Sequence, residues 1–289
     1  MCRLFAQFSA EPRDAAYLLL EAPASLLEQS RAKAGCLQKD GWGVGWHERG
    51  RALVLKSRRP IYEERDALRR AARSAVSRIV IGHIRAASNP LGLPRARLLT
   101  EANAQPFSDG RWLFAHNGTL NIPKETAGAL GRLRSRLRGE NDSEVYFWHL
   151  LKHLRREGDF ERALRSALAE LWELWEGCRS EHPGLTAPYS AVNTLLSDGE
   201  TLYAVCHQAV PGSILSGACN PDQPWGQMSV SRRPGLVVVA SEDMDRGRWT
   251  RMRPPELLTM RLRSGRIEVA RRALSGLPQA PLPRMEAAA

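Results

Sequence analysis

The second residue of the chain, Cys2, is the first candidate for nucleophilic catalysis. Cysteine is small enough for the usual aminopeptidase to remove Met1, which would leave a thiol and a free α-amine on one residue. Because an α-amine titrates near about 7.7–8.0, much of it is neutral at cellular pH and can act as a base towards the thiol. The alternative is an ordinary second residue, and Cys2 taken alone favours that alternative.

A second candidate, Arg85, stands at the end of an apolar strand predicted over residues 78–84. A guanidinium at a strand end can bind a carboxylate through two parallel hydrogen bonds. The small residues at 86–88 leave space for a ligand beside it. The alternative is a surface arginine in an arginine-rich chain.

The pair Asn117-Gly118 follows another predicted strand, 111–116. The side-chain N–H of Asn117 and the backbone N–H of Gly118 could point at one spot, which is the outline of an oxyanion hole. Asn-Gly is also a frequent turn pair, so a plain turn is the alternative.

Asp142 precedes an amphipathic helix predicted over 143–156. At the start of a helix its carboxylate could bind a substrate ammonium group. The neighbouring Asn141, with Glu144 three residues later, resembles a helix cap, which is the structural alternative.

Together these candidates match the parts of one small molecule. Arg85 would hold an α-carboxylate, and Asp142 would hold an α-ammonium. Asn117 and Gly118 would stabilise a γ-carbonyl oxygen while Cys2 attacks the γ-carbon. That molecule is glutamine, or a compound with a γ-glutamyl end.

The order of four motifs resembles the class II glutamine amidotransferases of the N-terminal nucleophile hydrolase superfamily: Cys2, GHIRAAS (82–88), AHNG (115–118) and NDSE (141–144). Three further segments are similar to the short, stand-alone branch of that family: KDGWGVGW (39–46), NTLLSDG (193–199) and VVASEDMD with a following Trp (238–249). This branch includes γ-glutamyl hydrolases of ergothioneine synthesis and glutathione breakdown. The likeness extends over residues 2–260.

The resemblance implies a four-layer αββα sandwich and a γ-glutamyl thioester on the N-terminal cysteine, with no metal or organic cofactor. It implies catalytic roles for Cys2, Asn117 and Gly118, and substrate binding by Arg85, Ser88 and Asp142. This sequence departs from the family pattern at two positions. Ala86 stands where a bulky aromatic residue is common, and Ser88 stands where threonine is common. These departures leave the anchoring Arg85 in place but change the expected shape of the pocket on the leaving-group side.

Two enzymatic hypotheses follow, and a third, non-enzymatic one is given less weight. The first is a self-contained amidohydrolase that cleaves the γ-amide of glutamine or a γ-glutamyl compound. The second is a glutaminase subunit that donates ammonia to a separate acceptor synthase, since 289 residues leave no room for an acceptor site beside this domain. The third is a degenerate scaffold or binding module. A Cys–His mechanism, with His83 or His116 as the base, is the mechanistic rival.

The elements that must position these residues are strands early and late in the chain, with helices between them. Hydrophobic periodicity and turn residues predict the following strands: 2–8, 42–48, 51–57, 78–84, 111–116, 190–197, 200–207, 235–241, 257–262 and 266–272. Helices are predicted near 61–76, 124–137, 143–156 and 159–176, and long loops at 89–110, 177–189 and 211–234. This pattern predicts an α+β fold. We expect one amidotransferase domain over 2–273 and a disordered tail over 274–289.

Composition excludes several other classes of protein. The 42 Lys and Arg against 31 Asp and Glu give a net charge of +11, but no helix-turn-helix, zinc-finger or aromatic stacking signature accompanies it, so no nucleic-acid partner is predicted. The positive field favours a small anionic substrate. No signal peptide and no run of about 20 apolar residues is present, so we expect a cytoplasmic protein without a membrane partner.

The remaining cysteines and histidines give no metal prediction. The five cysteines include no CxxC pair, which argues against both a disulfide framework and a zinc site. Those other than Cys2 are interpreted as structural: Cys36, Cys178, Cys206 and Cys219. His149 and His153 are spaced as metal ligands on a helix, but no third ligand is evident from the sequence.

Overall fold

A computed structural model describes residues 2–32, 37–209, 219–224 and 226–279. Within these residues the chain forms two antiparallel sheets with helices, which confirms the predicted α+β class. The strands are β1 (Arg3–Arg13), β2 (Trp42–Glu48), β3 (Arg51–Ser57), β4 (Ser77–Ile84), β5 (Phe107–Ser108), β6 (Leu113–Asn117), β7 (Asn193–Ser197), β8 (Thr201–Cys206), β9 (Ser229–Arg233), β10 (Leu236–Ala240), β11 (Trp249–Arg251), β12 (Glu256–Arg263) and β13 (Arg266–Ala273). The helices are α1 (Leu26–Gln29), α2 (Arg65–Ser74), α3 (Arg95–Leu98), α4 (Pro123–Gly128), α5 (Asp142–Glu157) and α6 (Phe160–Cys178).

The strand order joins late strands to early ones in the first sheet and to middle ones in the second. The first sheet has the order β11-β9-β10-β1-β4-β2-β3, and the second sheet has the order β13-β12-β8-β7-β6-β5. Strand β1 therefore lies near the middle of the first sheet, between β10 and β4. In the second sheet β6 pairs with β7 on one side and β5 on the other.

The two sheets pack against each other through alternate side chains of their strands. Along β1, Leu4, Ala6 and Phe8 belong to the core shared with the second sheet, whereas Phe5 belongs to a separate core under helices. This division follows from the period of two, which sends successive strand residues to opposite faces. The second sheet contributes Leu113, Ala115, Leu195, Ala204 and Leu258 to the shared core.

Helices cover the other face of each sheet. Apolar residues of α5 and α6 pack on the second sheet around Phe114, Leu196 and Val205. On the first sheet, α1, α2 and a π-helical turn (Tyr17–Glu21) pack around Phe5, Val44 and Val238. The strands that lead into the GHIRAAS and AHNG motifs, β4 and β6, are therefore buried on both faces.

The glycine-rich run of β2 is explained by close packing. A Cβ atom at Gly45 would lie 2.4 Å from Cδ1 of Leu113 in the facing sheet, and one at Gly43 would lie 2.3 Å from the carbonyl oxygen of Gln105. Any larger residue at either position would push β2 away from its neighbours.

Several predicted elements differ from the observed ones in instructive ways. The helix predicted over 124–137 is wrong as a single element, because α4 ends at Gly128 and a 3₁₀ segment, Gly131–Arg136, follows. Gly131 has a φ of +58°, which interrupts an α-helix, and no residue of that segment is buried. The loops predicted at 89–110 and 211–234 contain α3, β5 and β9.

The start of the C-terminal tail, predicted to be disordered over 274–289, packs against the fold. In the part of the tail that is described, Leu274 is buried and its N–H donates to the carbonyl oxygen of Pro255 at 2.8 Å. Residues 280–289 of the predicted tail lie outside the described residues, as does Cys36. No helix among the described residues has the length and apolar character needed to span a membrane.

Candidate active site

Cys2 lies beside the end of β4 because of the pairing between β1 and β4. Arg3 pairs with Ile84 in this antiparallel register, so the residues one step further along, Cys2 and Arg85, also face each other. The thiol of Cys2 donates to the carbonyl oxygen of Ala86 at 3.4 Å. Burial raises the pKa of the Cys2 thiol, and the positive charge of Arg85 opposes that rise. A thiol in this environment needs a neighbouring base to become a thiolate.

The guanidinium of Arg85 is a buried cation. Its side chain is 2% exposed, and one guanidinium N–H donates to the carbonyl oxygen of Leu98 at 2.7 Å. Among the described residues, no Asp or Glu lies within ion-pair distance of it. Burial lowers the pKa of Arg85, while the neighbouring Cys2, Asp40 and Asp142 favour the charged form. Because a buried charge is stable only when it is compensated, this guanidinium is suited to an anionic ligand.

Asp142 and Ser88 form the negative side of the same site. One carboxylate oxygen of Asp142 accepts from the Ser88 hydroxyl at 3.2 Å, and the other accepts from the Leu120 N–H at 2.9 Å. Burial raises the pKa of Asp142, and these two donors together with Arg85 counteract the rise. Because a carboxylate oxygen can accept more than one hydrogen bond, the carboxylate can still bind an ammonium group.

The helix-cap alternative for this segment is compatible with the functional one. The side chain of Asn141 accepts from the Ser143 N–H at 2.7 Å and caps α5. The carboxylate of Glu144 accepts from the N–H groups of Arg138 and Gly139 rather than from Asn141, so the full capping box does not form. Asp142, the first residue of α5, is left to face Ser88.

Asn117 and Gly118 end β6 at the same edge of the two sheets. The amide of Asn117 donates to the hydroxyl oxygen of Ser241 at 3.4 Å, and the Leu4 N–H donates to that oxygen at 3.1 Å. Ser241 thereby joins the end of β6 to the start of β1. A Cβ atom at Gly118 would lie 1.9 Å from the carbonyl oxygen of Ala191, so only glycine fits there.

The two histidines at this edge are poorly suited to act as the base. The ring nitrogens of His116 contact the Ser143 hydroxyl at 2.9 Å and the carbonyl oxygen of Ala191 at 3.0 Å. Burial lowers the pKa of His116 to about 4 and that of His83 to about 3. Within the described residues, neither ring is hydrogen-bonded to the Cys2 thiol. The geometry therefore gives no support to the Cys–His rival.

One residue that sequence analysis left without a role, Asp40, holds the segment after β4. Its carboxylate accepts from the Ala87 N–H at 2.9 Å and from Arg95 at 3.0 Å, and its own N–H donates to the carbonyl oxygen of Arg85 at 3.1 Å. Asp40 thus fixes the backbone that carries Arg85 and the Ala86 carbonyl. The available signal was its place inside the segment 39–46.

A buried ion pair holds the other side of Cys2. Nε of Arg3 lies 2.5 Å from Oε1 of Glu242, and another Arg3 nitrogen donates to the carbonyl oxygen of Cys2 at 3.2 Å. The second oxygen of Glu242 accepts from the N–H groups of Cys219 and Asn220 at 2.8 and 3.0 Å. The pair therefore ties the N-terminal strand to the 219–220 segment.

The chain is similar to several known proteins. The family model described as glutamine amidotransferases class-II matches residues 1–218. The gamma-glutamyl-hercynylcysteine sulfoxide hydrolase of Mycolicibacterium smegmatis is 29% identical over 251 residues, which cover 85% of this chain and 88% of that protein. The protein of the same name from Mycobacterium tuberculosis is 30% identical over 132 residues, covering 44% of this chain and 53% of that one. A solved glutamine aminotransferase class-II domain protein from Silicibacter pomeroyi has the same fold, with a TM-score of 0.60 at 22% identity over 97% of this chain and all of that one.

Proposed function

This chain belongs to the class-II glutamine amidotransferases, and we propose that it hydrolyses the γ-amide bond of a γ-glutamyl compound with Cys2 as an N-terminal nucleophile. The observation that carries this proposal is the position of the Cys2 thiol, beside a buried guanidinium that has no carboxylate partner among the described residues.

The charges of the site support binding of the glutamyl half of the substrate. Arg85 binds the α-carboxylate, which supplies the missing counter-ion. Asp142, oriented by Ser88, binds the α-ammonium. A zwitterionic amino-acid end matches this pair of opposite charges, and either charge alone would leave one partner buried without compensation.

The reaction proceeds in two halves. After removal of Met1, the α-amine of Cys2 takes the thiol proton, and the thiolate attacks the γ-carbonyl carbon. The developing oxyanion accepts hydrogen bonds from the Asn117 side chain and the Gly118 N–H, for which Asn117 gives up its long contact with Ser241. The amine product leaves with the proton held by the α-ammonium. Water then hydrolyses the γ-glutamyl thioester, which releases glutamate and restores the thiol.

The preferred substrate in this proposal has a leaving group larger than ammonia. The name of the M. smegmatis relative specifies a γ-glutamyl compound of this kind, and the similarity extends over 88% of that protein. Ala86, beside the anchoring Arg85, leaves more room than a bulky residue would. Binding energy from the added group can be used in the transition state.

The second candidate function is the ammonia-donating glutaminase, which the family's name favours. In that case turnover would depend on a separate acceptor synthase. A catalytic thiol needs reducing surroundings in either case, which supports a cytoplasmic location.

The same proposal assigns a four-layer αββα sandwich to a single domain, residues 2–273. It is supported by the shared core between the sheets and by the helical cores on their other faces.

The test compares glutamate release from glutamine, γ-glutamyl-cysteine derivatives and γ-glutamyl dipeptides by the purified chain alone. We expect kcat/KM to be higher for the larger compounds, and we expect Cys2→Ala to abolish turnover of all of them. If glutamine is the best substrate by a wide margin, or if turnover requires a second protein, the ammonia-donor function replaces this one.

A further inference from the structure

Away from the candidate active site, two clusters of side chains in the described part of the chain have the composition of metal sites. One contains His149, His153 and Glu170, and the other contains Glu125, Cys178 and His182. In each cluster the potential ligand atoms lie within 4.8 Å of one another.

The first cluster already contains its cation. The fold supplies Glu170, the third ligand that the sequence did not indicate, but Nζ of Lys152 lies 2.7 Å from both of its oxygens. Arg156 donates to Nδ1 of His153 at 3.2 Å, which places the ring proton of a neutral His153 on Nε2, donating to Glu170 at 2.6 Å. A metal ion would have to displace an ammonium group and a proton, so this cluster is a closed ion-pair network.

The second cluster joins three separate elements of the helical region. Cys178 is the last residue of α6, His182 follows the 3₁₀ turn Arg179–Glu181, and Glu125 lies in α4. Nε2 of His182 lies 3.3 Å from Oε1 of Glu125. Cys178 is buried, whereas His182 remains about one-quarter exposed, with its side chain at 25%. A ligand could therefore approach from the His182 side.

The carboxylate of Glu125 lacks the partner that the first cluster provides. Its Oε2 atom is buried and has no hydrogen-bond donor in the described part of the chain. Within the described ranges, no Lys or Arg lies at ion-pair distance from Glu125, in contrast to Lys152 on Glu170. A buried carboxylate oxygen without a donor is unfavourable, and a bound cation would remove that penalty.

The donor set selects the kind of cation. A thiol, an imidazole and a carboxylate offer sulfur, nitrogen and oxygen, which is the ligand mixture of zinc rather than of calcium or magnesium. Three protein ligands also match the open form of a tetrahedral zinc site, in which water occupies the fourth position. Burial and the nearby Glu125 and Glu181 raise the pKa of the Cys178 thiol, and a dication would reverse this effect by binding the thiolate.

We propose that Glu125, Cys178 and His182 bind one divalent, thiophilic transition-metal ion, with zinc as the best match. The ion links α4 to the end of α6 and to the turn that follows. The sequence did not indicate this site, because Glu125 lies more than fifty residues from the other two ligands and the cysteines form no CxxC pair.

Co²⁺ is a suitable probe, because a thiolate ligand gives it a charge-transfer absorption band and a tetrahedral site gives intense d–d bands. Chelator-treated, fully reduced protein should develop both bands and saturate at one equivalent, and Zn²⁺ should abolish them. Cys178→Ser should lose the charge-transfer band. Glu125→Gln, which keeps the side-chain shape, should weaken Co²⁺ binding by about tenfold or more.

Cys2→Ala and His153→Gln serve as controls and should bind Co²⁺ like the wild type. Absence of a band in the wild type would overturn the proposal, as would a band that survives Cys178→Ser or disappears in Cys2→Ala. If Cys178→Ser proves misfolded by circular dichroism, Glu125→Gln decides: unchanged Co²⁺ affinity in this variant contradicts the proposed ligand set. Zn²⁺ should also raise the Tm of the wild type more than that of Glu125→Gln.

Discussion

The thiol of Cys2 lies 3.4 Å from the carbonyl oxygen of Ala86, the residue that directly follows the buried Arg85. The nucleophile and the cation proposed to anchor the substrate are therefore held by one strand pair. Because the register of β1 on β4 sets their separation, the distance between them is a property of the sheet core. Changes that disturb the 85–88 segment should act on both groups at once.

Replacing Arg85 by alanine should weaken substrate capture. A charge-assisted hydrogen bond contributes about 1.5–3 kcal/mol, so kcat/KM should fall about 10- to 150-fold, mainly through KM. Steady-state kinetics with a γ-glutamyl dipeptide measures this. Arg69→Ala, an exposed arginine of α2, is the matched control and should change neither constant. An unchanged KM for Arg85→Ala would show that the carboxylate binds elsewhere.

Asn117→Ala should act on the chemical step instead. Loss of one oxyanion donor lowers kcat about 100- to 1,000-fold and leaves KM nearly unchanged. Asn121→Ala serves as the control, because its amide donates to the carbonyl oxygen of Ala187 rather than to Ser241. A kcat for Asn117→Ala within twofold of the wild type, about the scatter of such assays, would remove Asn117 from the oxyanion hole.

Asp40→Asn should identify Asp40 as a positioning residue. The variant keeps the side-chain shape but weakens the contact with the Ala87 N–H, so kcat/KM should fall about tenfold, equivalent to about 1.4 kcal/mol. Arg95→Ala removes the other partner of Asp40, a side chain 60% exposed, and should have little effect. Equal losses in the two variants would mean that the surface ion pair, and not the backbone contact, orders the segment.

Buried neutral histidines should make the fold sensitive to mild acid. Burial lowers the pKa of His207 to about 4 from an ordinary 6.5. Between these values the unfolded chain binds a proton that the folded chain excludes. The stabilisation is therefore complete above pH 6.5 and is lost as the pH falls towards 4, by up to about 1.4 kcal/mol per pH unit.

Urea unfolding of the wild type and His207→Gln at several pH values between 7 and 5 measures this contribution. The variant should show a shallower loss of unfolding free energy with acid, since His207 no longer takes part. Parallel curves for the two proteins would show that His207 is not protonated on unfolding in this range. Burial also lowers the pKa of His116 to about 4, so His116 contributes the same loss of unfolding free energy with acid in both proteins.

The longer elements were predictable because their residue patterns are local. The pair β2 and β3 was predicted with its observed bounds, since two alternating runs flank the turn at Arg49-Gly50. Strands β5 and β11 have two and three residues and show no periodicity of their own. They form because β5 pairs with β6 and β11 pairs with β9, and this pairing depends on the tertiary structure.

The residues of the candidate site likewise fall into those with a local sequence signal and those without one. Cys2, Arg85, Asn117 and Asp142 were recognisable because each lies in a short motif at a strand end or helix start. Their roles remain predictions, but the structure places them at one edge of the two sheets. Asp40 acts on an N–H group that lies 47 residues away, and no local pattern reports such a contact.

Covalent labelling of the N-terminal residue tests the central claim most directly. The native protein should be incubated with a glutamine-mimicking electrophile, digested, and examined by mass spectrometry. We predict an N-terminal peptide that lacks Met1 and carries one adduct on Cys2, with no adduct on Cys219, the other partly exposed cysteine of the described chain. A fully active preparation that retains Met1, or an adduct on any residue other than Cys2, would contradict the mechanism.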